Sequence, residues 1–317
     1  MNPLVSITTV TLNNSSLAKW CIESVLTYTD VPFDYTIVDN GSTDDLLKVL
    51  DQKDDLEREA RANNPNFCGL NIIRNTTNKY ICHATNQGFA NRKGQYYAFI
   101  PGDTVMTENY MSKLLAGMDQ FHLDGISPRW FEPKDLRKIG IESLDILDPF
   151  SSATQYGELF KRGDPSYLPH GEAEYHREEC EQGWAVGITW MIKQRVWEIV
   201  GPWDERFRLT VMDNDAFWRV LIAGYRLGIV NDVWIFHAGP ISRMNEQVNP
   251  NYHAIGDKEW KEIFVEKWGT TPDDTRFLYR LIEEGNIRKK TLDDGPSSGV
   301  TKEIKERFFP PILLGKP

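Results

Sequence analysis

Short β-branched apolar runs, each stopped by a polar turn and separated by helix-length segments, constrain this chain more than any other feature. Leu4 to Val10 reads as a strand; Ser15 and Ser16 then offer a helix start, with Leu17, Trp20, Cys21, Ser24 and Val25 recurring at helical spacing. Phe33 to Val38 is the next strand. Thr43 is an N-cap candidate for a helix from Asp44 to about Arg61, and Leu70 to Arg74 is a third strand. Strand, helix, strand, helix, strand predicts a parallel sheet flanked by helices, because strands that run the same way need crossover segments between them.

The pattern continues with a helix over Ala84 to Arg92, a strand over Tyr96 to Ile100 and a helix capped by Thr107 with apolar positions Tyr110, Met111, Leu114, Leu115 and Met118. Gly125 to Trp130 is a further strand. From Glu132 to about Glu181 the periodicity breaks down around Pro133, Pro149, Pro165 and Pro169, which predicts an irregular insertion. Order returns with a strand over Trp184 to Ile192, a helix ending near Gly201, and a helix that starts at Asp213 or Asn214 and stops before Gly224. The apolar run Leu227 to Phe236 ends at His237. Beyond about Pro240 come helices over Lys258 to Trp268 and Thr275 to Glu284, then a tail.

In such a sheet, ligands meet loops at the carboxyl ends of the strands. Acids and a histidine stand there: Asp39 opens the turn Asp39-Asn40-Gly41-Ser42, Asp103 lies in Pro101-Gly-Asp-Thr104 after Tyr96 to Ile100, and His237 closes the last run. Asp-Asn-Gly-Ser is also ordinary turn chemistry. Asp213, Asp215 and Arg219 lie at a helix start, where an acid also favours the helix dipole.

A 317-residue chain with 40% apolar residues can bury a sizeable core. Its formal charge of -10 makes nucleic acid or an anionic membrane an unfavourable default partner. Cys21, Cys68, Cys82 and Cys180 have no C-x-x-C spacing, so buried free thiols are expected. With no secretory signal pattern and no apolar run of about 18 residues, the expectation is a cytoplasmic protein without a transmembrane segment. The apolar end Phe308 to Leu314 could pack on its own core or in an oligomer. A dinucleotide oxidoreductase is disfavoured because no G-x-G-x-x-G follows the first strand, and a P-loop enzyme because no G-x-x-x-x-G-K-[ST] occurs.

The ordered set of Asp39, Pro101-Gly-Asp103, Asp213-Asn-Asp215-Ala-Phe-Trp-Arg219 and His237 resembles the family 2 glycosyltransferases of GT-A fold over about Leu4 to Gly239. The resemblance implies an α/β domain at 1–239 with a Rossmann-type mixed, mostly parallel sheet. The segment 132–181 would serve the acceptor side, and 240–317 would form a small helical C-terminal appendage. It further implies an inverting hexosyl- or pentosyltransferase that moves a sugar from a nucleotide diphosphate, UDP foremost, to a hydroxyl of a glycan or other acceptor.

By the same resemblance Asp39 binds the base, with Thr9, Thr11, Asn40 and Gly41 lining its cleft. Asp103 and His237 hold Mn²⁺ or Mg²⁺, and Asp213 is the general base, with Asp215 and Arg219 as a supporting pair. Trp184 is a candidate for stacking on the donor, while Trp190 and Trp203 fit a core at least as well. Pro101 departs from the pattern by replacing the first acid of the Asp-x-Asp metal motif. The alternative is a non-catalytic nucleotide-sugar or glycan-binding protein with a decayed metal site.

Overall fold

The computed structural model describes residues 1–144, 149–161, 188–208, 211–239, 257–272 and 274. Its first half alternates β1 (Val5–Thr11), α1 (Ser15–Tyr28), β2 (Phe33–Asp39), α2 (Leu46–Asp51), α3 (Lys53–Asn63), β3 (Phe67–Arg74), α4 (Tyr80–Phe89) and β4 (Tyr96–Phe99). Then come β5 (Thr104–Val105), α5 (Tyr110–Gln120), β6 (Gly125–Phe131), α6 (Pro133–Lys138), α7 (Pro149–Lys161), β7 (Trp190–Lys193) and α8 (Gln194–Val200). The last described elements are α9 (Met212–Ile222), β8 (Leu227–His237) and α10 (Asp257–Trp268).

Among the described residues the strands form one eight-stranded sheet in the order β3-β2-β1-β4-β7-β6-β8-β5. β1 pairs parallel with β2 and β4, β2 with β3, and β6 with β8; β7 runs antiparallel to β4 and β6, and β5 antiparallel to β8. Six strands therefore point one way and two are reversed, which is the mixed, mostly parallel GT-A-type sheet expected. Every residue of β1 is buried, as a strand covered on both faces must be.

The period of two sorts side chains between the faces. Val5 and Ile7 of β1, with Ala98 and Ile100, pack toward α1, α2, α3 and α5. Val10, Tyr97 and Phe99 pack toward α4, α8, α9 and α10. A smaller cluster under α6 and α7 holds Phe131, Leu136, Ala153, Trp234 and Phe236. The last described helix, α10, inserts Trp260, Phe264 and Trp268 into the second face, with Trp218 edge-on to Phe264 and Trp268 at centroid distances of 5.0 and 5.2 Å.

The departures from expectation have local causes. The helix expected over Asp44 to Arg61 is broken at Gln52 (φ -87°, ψ 29°), so that α2 buries Leu46 and Leu50 while α3 buries only Ala60. Asp44, not Thr43, serves the start: its Oδ1 accepts from Leu46 N at 3.1 Å and its Oδ2 from Ser15 N at 2.9 Å. α4 begins at Tyr80 rather than Ala84, where Asn78 Oδ1 accepts from Tyr80 N at 2.8 Å.

The segment expected to be irregular holds α6 and α7, whose prolines stand at the first position of each helix. A missing N–H costs nothing there. No helix among the described residues is long and apolar enough to cross a membrane. The expected strand start at Trp184, the helix over Thr275 to Glu284, Cys180 and the end Phe308 to Leu314 lie outside the described residues.

Candidate active site

The carboxyl ends of β1, β2, β4, β6 and β8 share one edge of the sheet, and every acid singled out at a strand end stands along it. Thr11 pairs with Asp39 in the β1–β2 register, and Asn40 N donates to Thr11 O at 2.8 Å. Asp39 is 1% exposed, and its Oδ1 accepts from Ser42 N at 2.9 Å. That closes an Asx-type turn with Gly41 at φ +93°. A Cβ on Gly41 would lie 2.8 Å from the Thr77 carbonyl carbon, so only glycine lets the turn approach the loop 75–79 this closely.

The remaining predicted cleft residues divide. Asn40 is spent inside the protein: its Nδ2 donates to Asn78 Oδ1 at 2.9 Å, and its Oδ1 accepts from Lys79 N and Asn75 Nδ2. Thr9 is fully buried, and its hydroxyl accepts from Tyr35 Oη at 2.8 Å, on the face turned toward α1. Thr9 and Thr11 share one face of β1, but Thr11 is the last residue of the strand and so stands at the edge, where a Cβ on Gly102 would lie 2.8 Å from Thr11 Cβ. Trp184 lies outside the described residues. Trp190 and Trp203 are both 3% exposed and stack at 5.5 Å, in the core.

Asp103 and His237 meet because reversed β5 pairs Thr104 with His237 and Ala238 N donates to Asp103 O at 2.9 Å. His237 Nε2 lies 3.5 Å from Asp103 Oδ2, and Nδ1 lies 3.5 Å from Glu132 Oε1. These are ion contacts; Nδ1 has no hydrogen bond of good geometry. Burial pushes the imidazole toward its neutral form, but the two carboxylates outweigh it and hold its pKa at about 9. Glu132 is drawn down to about 2 by His237 first and Lys134 after it.

Glu132 was not among the sequence candidates. The signal was present: it directly follows the strand Gly125–Phe131, as Asp103 follows β4 at the same edge.

Two ligand atoms in neighbouring positions at about 2.1 Å from one Mg²⁺-sized cation lie roughly 3 Å apart, so the Asp103–His237 pair fits a shared ion after a small adjustment and once the ion displaces the imidazole proton from Nε2. Glu132 faces the other ring nitrogen and belongs to no common sphere. Among the described residues no group of three acids, cysteines or histidines could hold a metal ion. A two-residue site suits Mg²⁺ or Mn²⁺, which keep water and phosphate oxygens as ligands. Pro101 supplies no carboxylate; its carbonyl accepts from Cys21 Sγ at 3.3 Å. Burial raises that thiol to about 12, which keeps it unreactive.

Asp213 is half-buried in the first turn of α9 and accepts from Asn214 N at 3.0 Å. The helix is entered through Val211 at φ 56°, ψ 4°. A left-handed β-branched residue costs about 1–3 kcal/mol and persists only where its surroundings over-determine it. Val211 is packed in the same cluster as Val10 and Val38, next to the last residues of β1 and β2. The expected supporting pair is present: Arg219 Nε donates to Asp215 Oδ2 at 3.1 Å, with both side chains buried.

A mixed, mostly parallel sheet with helices on both faces, in this strand order, is a GT-A-type fold. The sequence profile described as "Glycosyl transferase family 2" matches residues 6–166, half of the chain, and the chain belongs to that family. No curated protein sequence matches it.

Solved structures share the fold at low identity. The mannosyltransferase PcManGT from Pyrobaculum calidifontis, in complex with GDP-Man and Mn²⁺, is 15% identical with a TM-score of 0.50, over 80% of this chain and 60% of that one. S. aureus TarS is 12% identical with a TM-score of 0.51, over 86% of this chain and 44% of its own length. TarS 1–349 in complex with UDP-GlcNAc is also 12% identical with a TM-score of 0.51, over 90% of this chain and 78% of that one. The chain thus spans less than two thirds of the first two.

Proposed function

We propose that the chain transfers a sugar from a nucleotide diphosphate donor, a UDP-sugar foremost, to an acceptor hydroxyl in one displacement with inversion. The observation that carries this reading is the convergence of Asp39, Asp103 and His237 on one sheet edge. The Mn²⁺ and nucleotide-sugars bound by the structural neighbours agree with it. In this reading Asp39 accepts a hydrogen bond from the base of the nucleotide. Asp103 and His237 would hold Mn²⁺ or Mg²⁺, which would supply positive charge against that of the diphosphate.

Asp213 takes the proton of the attacking hydroxyl. A neutral hydroxyl is a poor nucleophile, and a positioned carboxylate contributes about 10²–10⁴-fold. Inversion follows from attack opposite the leaving group without a covalent intermediate. The acceptor is a glycan in this reading.

Calorimetric titration with uridine, guanosine and thymidine diphosphates, each with Mn²⁺ and with chelator, tests the donor side. One nucleotide, uridine diphosphate, should bind tightly and only with the metal; binding of none overturns the transferase reading. Asp213→Asn should keep donor binding and lose sugar transfer by about 10²–10⁴-fold. Donor binding without transfer to any glycan by either form would favour the non-catalytic binder that Pro101 makes conceivable.

A further inference from the structure

The last described helix, α10, ends in two residues that reach under the helix carrying Asp213. Lys267 Nζ lies 2.8 Å from Asp204 Oδ2 and 2.7 Å from Asp215 Oδ1, with its side chain 3% exposed. Trp268 Nε1 donates to the same Asp215 Oδ1 at 2.9 Å. Asp215 also receives Arg219 Nε, whose guanidinium donates onward to Gly201 O at 3.1 Å. Asp204 is held on its other side by a two-pronged contact from Arg206, at 3.0 and 2.7 Å. The ammonium thus joins two acids eleven positions apart in sequence, and Asp213 lies within the segment they bracket.

We propose that Lys267 is a positioning residue for Asp213: by tying Asp215 to Asp204 it fixes the first turn of α9, and with it the direction of the Asp213 carboxylate. The proposal rests on the reading of Asp213 as base. Its physical basis is that a helix entered through a left-handed valine has no local preference for that start. A buried ammonium shared by two carboxylates supplies the missing constraint, since an ion taken from water holds its partners firmly. Phe207, inside the segment, lies under the ammonium with its ring centroid 5.7 Å from Nζ, a further contact that depends on the same charge. The last turn of the described C-terminal helix would then serve the chemistry at the sheet edge without touching substrate.

Steady-state kinetics of the full chain with a UDP-sugar test this. Lys267→Met should lower kcat by about 10–100-fold, in line with the cost of small misplacements of reacting groups. KM for the donor and the affinity for uridine diphosphate with Mn²⁺ should stay within about twofold, because Asp39, Asp103 and His237 are held by other strands. Lys267→Arg should recover part of the loss. In an Asp213→Asn background Lys267→Met should cost nothing further, because its effect passes through that carboxylate.

Equal loss in both backgrounds, or a fall in donor affinity matching the fall in kcat, overturns the proposal. Trp268→Phe, which removes one donor to Asp215 and keeps most of the packing, provides a second variant if Lys267→Met does not fold. It should give the same split, with a smaller loss. If Asp213→Asn itself leaves turnover intact, the reading of the base has failed; if it abolishes turnover and Lys267→Met does not lower it, only the positioning role has.

Discussion

Asp204 shows how single residues in this chain trade burial against charge. Burial would raise its pKa, but Arg206 and Lys267 outweigh that and hold it well below the usual carboxylate range. A carboxyl depressed in the folded state stabilises at pH values above its unfolded pKa of about 3.9, and that contribution disappears as pH falls through the folded value. Asp204→Asn should therefore melt well below the parent at pH 7, by an amount matching the roughly 3 kcal/mol cost of breaking a buried ion pair. The gap should narrow steadily below about pH 4. A gap of unchanged size at pH 3, in thermal midpoints measured across that range, would show that the charge is not what Asp204 contributes.

At the scale of elements, close approach decides which residues are allowed. Gly94, in the turn before β4, donates from its N to Ser6 Oγ at 3.0 Å, and a Cβ there would lie 2.5 Å from Ser6 N. The obstacle is backbone of the fully buried β1, which no side-chain rotation can relieve. Gly94→Ala is expected to cost about 1–3 kcal/mol, seen as a lower denaturant midpoint with an unchanged slope; an unchanged midpoint would mean that the turn can move away from β1.

The same scale explains what could be read from residues alone. β1, β2, β4, β6 and the last described strand, β8, announced themselves as short runs rich in β-branched, aromatic and other apolar residues between turn signals. β5 is two residues long and exists only because β8 lies beside it, so no local pattern marks it. α6 and α7 were hidden by prolines that break a helix in its interior and start one at its first position.

The whole molecule behaves as one packed body as far as its described core extends. Trp260, Phe264 and Trp268 of α10 share a cluster with Phe99 of β4 and Trp190 of β7. Unfolding in denaturant should accordingly give one transition, with tryptophan fluorescence and far-ultraviolet circular dichroism coincident. Two separated transitions would mean that the C-terminal helix folds apart from the sheet.

The candidate site was legible as far as sequence order could carry it. Asp39, Asp103 and His237 each follow an apolar run, and a parallel sheet gathers such positions on one edge. Asn40 and Thr9 show where that reasoning stops. Which way a turn amide points, and whether a strand hydroxyl is already engaged, depend on Asn75, Asn78 and Tyr35, residues that neighbour them only in space. The link from Lys267 to Asp215 spans 52 positions and has no local signature at all.

The division of the sheet into a chemical edge and a plain one has a practical side. Among the described residues, short connections lie opposite the acids, one of them the exposed turn at Phe121 and His122, between α5 and β6. A tether, a fluorophore or a fused partner attached at that turn would hold the protein by its back. The edge that carries Asp39, Asp103 and His237 would then face open solution, clear of the support.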